Sequence, residues 1–295
     1  MKIALIANPR SGGRNTEKRI HTVTRSLKSA GLNADLFVTQ HHGHAVEIVR
    51  DIDLATVDAI VAMGGDGTNY HVLNGLLKYH SHEQLPPIGV IPLGRGNSFA
   101  RDLPVRSTRE GLKAIMRKST RPVDVCTFTQ KGETFYFVNL LGIGFVTVVA
   151  KTAARFPRAG DLSYVIGVLH RVIGLKFHRM NLEINGETIA ERNCFIEICN
   201  SRYTGGAMLM APDARIDDGW FDAVILGPLT RWNLLKTFPK IFKGTHGENP
   251  AVRFVRGKSA RIVTTPKKNM LPDGECFGST ETTIGILPAH VRYFC

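Results

Sequence analysis

An apolar run that ends in a cluster of glycines constrains this chain most. Ala59 to Met63 has the length and composition of a buried strand, and it breaks into Gly64-Gly65-Asp66-Gly67-Thr68. Glycine relaxes the steric limits on φ and ψ and lets a ligand approach the backbone. Exposed N–H groups in such a turn, at the head of a following helix, suit a phosphate. The carboxylate inside it, Asp66, is out of place beside an anion unless a metal, a proton or a hydroxyl stands between them. The same glycines also suit a plain strand-to-helix turn, so the neighbouring segments have to decide.

Those segments alternate. Lys2 to Ala7 reads as a first strand, followed by the polar loop Asn8 to Asn15. A helix over Thr16 to Ala30 carries Ile20, Val23 and Leu27 at helical spacing, and Gly31 stands where a C-cap belongs. Asp35 to Thr39 is a second strand, with a helix beginning at Ala45. After the third strand, Asn69 to Tyr79 is helical. Ile88 to Pro92 is a fourth strand, Leu93 to Ser98 its loop, and Thr108 to Lys118 a further helix. This is the pattern of a parallel α/β sheet. Ligands of such sheets sit beyond the carboxyl ends of the strands, where the loops at 8–15, 39–44, 64–68 and 93–98 gather.

After Pro122 the pattern changes. Short strands are expected at Val123–Phe128, Thr134–Asn139, Met180–Ile184, Cys194–Cys199, Phe221–Leu226, Val252–Arg256 and Ala260–Thr264. Turn signals such as Asn185-Gly186 and Lys131-Gly132 separate them. Two helical stretches, Leu162–Leu175 and Arg231–Phe242, interrupt them, and the second is expected to pack inside. The expected fold is therefore α/β plus all-β in two domains. A parallel α/β domain spans 1–122, with 284–295 returning to it, and an antiparallel β-rich domain spans 123–283.

Bulk properties narrow the partners. The net charge is +13 over 295 residues, which favours anionic partners: nucleic acid, acidic lipid headgroups or phosphorylated substrates. The basic residues are scattered and no nucleic-acid reading motif is present, so no nucleic-acid partner is expected. The five cysteines are odd in number and lack metal spacing, which reads as reduced thiols in the cytoplasm. No apolar stretch reaches transmembrane length, and Ile3 to Ala7 is too short for a signal peptide. Lys151 to Arg179 mixes Lys151, Arg155, Arg158, Arg171, Lys176 and Arg179 with apolar residues. It is the candidate for contact with an anionic leaflet, or else an ordinary core helix with a solvated end.

Taken in order, these motifs resemble the diacylglycerol kinase catalytic-domain family, which includes bacterial lipid kinases and relatives of the sphingosine kinases. The markers are Asn8 to Gly13, Thr39 with Gly43-His44-Ala45, Gly64 to Thr68 and Pro92 to Arg101. In the second half they continue with Gly205-Gly206, Pro212 to Gly219 and Asp273-Gly274-Glu275. The resemblance covers nearly the whole chain. It implies an α/β domain plus a β-sandwich-like domain, ATP in the cleft between them, Mg²⁺, and a lipid hydroxyl at an anionic membrane surface as acceptor. It places nucleotide contacts at Asn8, Thr39, Gly64, Gly65, Asp66, Gly67, Thr68, Arg95 and Asn97, and catalysis at Glu275, as general base, and Asp66. It places a metal site at Arg215, Asp218 and Trp220, through two main-chain carbonyls and one carboxylate; a hairpin turn accounts for Asp217-Asp218-Gly219 as well.

The chain also departs from the family pattern. Tyr70 and His71 stand where the family has Asn-Glu, and Arg95 and Ser98 where it has threonine and aspartate. Val146 stands where it has aspartate. These changes leave a second expectation open, a catalytically altered nucleotide- or lipid-binding regulator on the same fold. A soluble-substrate kinase such as an NAD kinase shares the Gly-Gly-Asp-Gly turn, but the Pro-Leu-Gly-x-Gly-Asn segment and the Asp-Gly-Glu position argue against it.

Overall fold

A computed structural model describes residues 1–13, 15–94, 96–156, 160 and 162–295. The chain folds as two compact units, Met1–Val123 with Ala289–Cys295, and Asp124–Pro288.

The first unit alternates strand and helix: β1 (Lys2–Ala7), α1 (Thr16–Ser29), β2 (Asn33–Val38), α2 (His44–Asp51), β3 (Ala59–Gly64), α3 (Asp66–Tyr79), β4 (Ile88–Pro92), α4 (Ser98–Asp102) and α5 (Thr108–Arg117). The strands pair in parallel in the order β2-β1-β3-β4. Their side chains are apolar on both faces because helices cover both faces, and Ile3 to Ala7, Ile60, Val61 and Ile91 are essentially inaccessible. α1 buries Ile20, Val23 and Leu27 and stops at Gly31, whose φ of +73° lets the Leu32 N–H reach back to the Leu27 carbonyl at 3.0 Å. The last strand of the chain, β18 (Thr282–Phe294), returns to this unit, where Tyr293 pairs in parallel with Ile88 and its hydroxyl donates to Asn69 Oδ1 at 3.1 Å.

The second unit is antiparallel. Its strands are β5 (Thr120–Gln130, which begins in the first unit), β6 (Glu133–Phe137), β7 (Leu140–Gly144), β8 (His178–Ile184), β9 (Glu187–Asn193), β10 (Phe195–Cys199), β11 (Tyr203–Thr204), β12 (Met208–Leu209), β13 (Phe221–Leu226), β14 (Val252–Gly257), β15 (Ser259–Thr265), β16 (Asn269–Pro272) and β17 (Phe277–Ser279). One sheet runs β14-β13-β10-β7-β16-β17. The other pairings of the unit join β18, β15, β8 and β9 in succession, and β5 with β6 and β18. Helices α6 (Phe145–Ala153), α7 (Leu162–Arg171) and α8 (Arg231–Thr237) share one apolar cluster of Phe145, Val149, Val168, Val172 and Leu234 with Cys194 and Leu226.

Several local expectations need correction. α3 begins at Asp66, not at Asn69, so the carboxylate of the glycine turn lies in the first turn of the helix. The helix expected over 162–175 ends at Arg171 and gives way to a tighter turn at Val172–Gly174. That over 231–242 becomes a 3₁₀ turn at Phe238–Phe242, because Pro239 supplies no N–H to continue an α-helix. It is also not wholly internal, since Trp232 is 64% exposed. Strands β7, β9, β16 and β17 and helix α6 carried no alternating pattern that would have marked them.

Candidate phosphate site in the first unit

In a sheet of order 2-1-3-4 the connections leave β1 and β3 in opposite directions, and the crevice between those two strand ends is where ligands of open α/β sheets bind. Asn8 follows β1 and the Gly64–Thr68 turn follows β3, so both flank this crevice. The Asn8 N–H donates to the Met63 carbonyl at 2.9 Å, and its side-chain amide reaches Thr68 Oγ1 at 3.4 Å. Thr39, after β2, is buried and its N–H donates to the Ala7 carbonyl at 2.9 Å. The loop after β4 is bonded to the glycine turn, for the Leu93 and Gly94 N–H groups donate to the Gly64 carbonyl at 2.7 and 3.2 Å.

The glycines here are fixed by close approach. A Cβ on Gly94 would stand 2.6 Å from Gly65 Cα, and one on Gly64 would stand 2.1 Å from Thr68 Oγ1. Two backbone segments therefore lie in direct contact, and only hydrogen fits between them. Gly65 caps α3, so the amides of Asp66 and Gly67 have no intrahelical acceptor and sit at the positive end of the helix dipole, whereas the Thr68 N–H donates to the Gly65 carbonyl at 3.0 Å.

Asp66 resolves the puzzle of an acid in a phosphate turn. Its Oδ2 accepts the Ser98 N–H at 3.0 Å and its Oδ1 the Phe99 N–H at 3.2 Å. The carboxylate thus clips the loop after β4 to the start of α3. Burial raises the carboxyl above its usual range, while the two N–H groups and the Arg101 charge pull it back down. Each oxygen keeps a lone pair, so a hydrated divalent cation fits this donor set. Asn97 adopts left-handed geometry (φ 48°, ψ 48°) and donates to the Gly94 carbonyl at 2.6 Å. Its Oδ1 is buried and accepts no hydrogen bond among the described residues, an acceptor suited to a ligand hydroxyl or a bound water. Arg95 lies outside the described residues.

His71 and Tyr70, at the positions of departure, do not face solvent freely. Tyr70 is buried, and the His71 ring meets the edge of His42 with centroids 4.8 Å apart. Burial, then the His42 charge, lowers the His71 pKa to about 4, so it is neutral at physiological pH. At position 98 the bond to Asp66 comes from the backbone, so a serine serves it as well as an aspartate.

The second unit holds the remaining expected residues. Glu275 is half-buried in the turn after β16, its N–H donating to the Pro272 carbonyl at 2.8 Å. The turn is set by Asp273. Its buried carboxylate accepts the N–H groups of Val138 at 3.2 Å and of Asn139 and Leu140 at 3.0 Å. Asp124 does the same for the 212–219 loop, accepting the Gly219 N–H at 2.6 Å. The expected metal ligands fare differently. Asp218 accepts the Trp220 N–H at 3.1 Å with one oxygen and pairs with the Arg256 guanidinium through the other. A cation at Arg215, Asp218 and Trp220 would therefore compete with the Arg256 guanidinium for the Asp218 carboxylate. Trp220 is instead flanked by two cations, with Lys258 Nζ 4.5 Å and Arg256 Cζ 5.5 Å from the ring centroid. Glu197, in the middle of β10, is fully buried with Oε2 accepting nothing among the described residues, and burial pushes its pKa up to about 8.

A parallel sheet whose switch point is lined by glycine backbone, in a chain that also carries an antiparallel unit, is a frame suited to holding phosphate. Comparison agrees. Residues 2–128 match the diacylglycerol kinase catalytic domain, and residues 140–295 match the YegS C-terminal NAD kinase beta sandwich-like domain. Similar curated proteins include a diacylglycerol kinase of Mycobacterium tuberculosis, 28% identical over 99% of this chain and 94% of its own length. A diacylglycerol kinase of Bacillus subtilis is 25% identical over 93% and 89%, and sphingosine kinase 1 of Arabidopsis thaliana 27% identical over 93% and 68%. A crystal structure from Bacillus anthracis superposes with a TM-score of 0.83 at 25% identity, covering 99% of this chain and 96% of that one. The chain belongs to the diacylglycerol kinase catalytic-domain family.

Proposed function

We propose that this protein is an ATP-dependent lipid kinase that transfers the γ-phosphoryl group to a hydroxyl of a diacylglycerol-like lipid at the cytoplasmic face of a membrane. The observation that carries the reading is the glycine-lined crevice between β1 and β3, with α3 pointing its amides into it and Asp66 fixing the neighbouring loop. Phosphoryl transfer requires charge neutralisation, alignment and a destination for the hydroxyl proton. In this reading the Gly64–Thr68 turn and Asn8 hold phosphate oxygens, while Thr39 and Asn97 face the nucleoside. Mg²⁺ supplies charge neutralisation when bound, with Asp66 as the carboxylate that fits it. The acceptor oxygen forms its bond to the γ-phosphorus as the bond to the β-phosphate oxygen breaks, and ADP leaves. The hydroxyl proton passes to the carboxylate of Glu275, a contribution of roughly 10²–10⁴-fold for a well-placed base.

Transfer of label from γ-labelled ATP to a panel of diacylglycerols, monoacylglycerols and sphingoid bases, with Mg²⁺ present, tests the assignment. Labelled lipid is the expected outcome. Nucleotide binding without label in any lipid would move the protein to the regulatory reading that Arg95, Tyr70, His71 and Val146 motivate.

A further inference from the structure

Helix α7 is apolar on two sides. Ser163, Gly167, Val168 and Val172 are buried, and Val168 and Val172 join the cluster formed with α6 and α8. Leu162, Leu169 and Ile173 point the other way, 66%, 53% and 72% exposed, and Ile166 lies between them half-buried. The spacing i, i+4, i+7, i+11 places all four on one stripe along the helix and the turn that extends it. That turn packs beside α8, where Trp232 stands exposed with Lys236 Nζ 5.4 Å from its ring centroid. A soluble helix normally spends one stripe on the core and surrounds the other with charge. Here the outer stripe is as apolar as the inner one.

The charges around it are predominantly basic, with Lys240 paired to Glu248. From Phe145 to Lys176 the sequence holds five Lys or Arg and a single acid, Asp161. From Arg231 to Lys243 it holds four Lys or Arg and no acid. Lys151, Arg155, Lys176, Arg231, Lys236 and Lys243 are exposed. An apolar ridge with an exposed tryptophan and a basic rim matches a bilayer interface, where indole and aliphatic side chains enter the acyl boundary and lysines meet anionic headgroups. No helix among the described residues is long and apolar enough to cross a membrane, so contact by this ridge would be peripheral.

We infer that the outer face of α7, its extending turn and the Trp232 end of α8 form a docking surface for an anionic phospholipid bilayer. The inference deepens the lipid-kinase reading, since such an enzyme must reach an acceptor embedded in lipid. Its test is independent of turnover, because adsorption is read without ATP or acceptor.

Sedimentation of the full chain with sucrose-loaded vesicles provides the test. Vesicles of phosphatidylglycerol and phosphatidylcholine in equal parts are compared with phosphatidylcholine alone. The wild-type protein is expected to partition onto the anionic vesicles and to be released by salt. A combined Leu169→Ser, Ile173→Ser, Trp232→Ser variant should lose at least about tenfold in partition, with its fold checked by circular dichroism. A combined Lys151→Glu, Lys176→Glu, Lys236→Glu variant should lose more than about tenfold, since each basic residue near such a surface contributes about fivefold. Wild-type protein that ignores anionic vesicles, or an apolar variant that binds them as well as wild type, overturns the inference. So does a lipid-free dimer in sedimentation equilibrium that the apolar variant abolishes, for then the ridge is covered by a second copy. Adsorption that persists while no lipid is ever phosphorylated would sink the kinase reading and leave the docking surface standing.

Discussion

Asp66 and Ser98 are joined by a 3.0 Å hydrogen bond from the Ser98 backbone N–H to the Asp66 carboxylate. That bond, with its neighbour from Phe99, ties the helix that follows β3 to the loop that follows β4. The acid of the glycine turn is therefore a brace for the crevice, and any role toward a metal is added to that one.

Replacing Asp66 with Asn puts an amide NH₂ against one of two N–H donors. A part-buried donor left without an acceptor costs about 1–3 kcal/mol. We expect Asp66→Asn to lower thermal stability by that order and to abolish lipid phosphorylation while the far-ultraviolet spectrum is retained. Unchanged stability would show that the brace does not bear on the fold.

Asp273 accepts three backbone N–H groups in the interior. Asp273→Ala leaves all three without the carboxylate, and losses of about 1 kcal/mol or more for each make a drop above about 3 kcal/mol the expectation. Urea unfolding followed by tryptophan emission measures it. A variant as stable as wild type contradicts the structural role.

Glu275 is half-buried, in a turn held by its backbone N–H and by the Asp273 carboxylate. Glu275→Gln is expected to keep wild-type stability and nucleotide binding while kcat falls about 10²–10⁴-fold. If kcat is unaltered, the base lies elsewhere.

Burial raises the Glu197 pKa to about 8. A raised carboxyl pKa means that the folded state holds a proton that the unfolded state releases. The stabilisation is complete below the unfolded value, near pH 4.5, and is lost as pH climbs toward 8. Wild-type stability should therefore decline across this window, by on the order of 1 kcal/mol per pH unit from this group. In Glu197→Gln that component of the slope is absent. Melting curves from pH 5 to 8 decide the matter, and parallel slopes for the two proteins would refute the assignment.

Much of the first unit was legible because its signals are local. Ile3 to Ala7, Ala59 to Met63 and Ile88 to Pro92 are short apolar runs, and their strands fall at those places. The second unit was harder to read. β9, Glu187-Thr-Ile-Ala-Glu-Arg-Asn193, is a polar strand with only Ile189 and Asn193 buried, and its identity comes from pairing with β8. β7 contains Gly142 and Gly144 and has no alternation, because both of its faces are buried.

The sequence by itself determined the backbone vocabulary: which runs are buried strands, where glycine must stand, and that an acid sits inside the glycine turn and another inside Asp-Gly-Glu. Those features follow from side-chain volume, backbone sterics and hydrophobic spacing over a few residues. What the acids bind was decided only by tertiary structure. Asp66 meets amides 32 and 33 residues away, and Asp273 meets amides more than 130 residues away. A carboxylate's chemistry depends on which donors and charges the fold brings within about 3 Å of it. The Arg256 guanidinium reaches Asp218 from 38 residues away, and no local pattern shows which cation will reach a given acid.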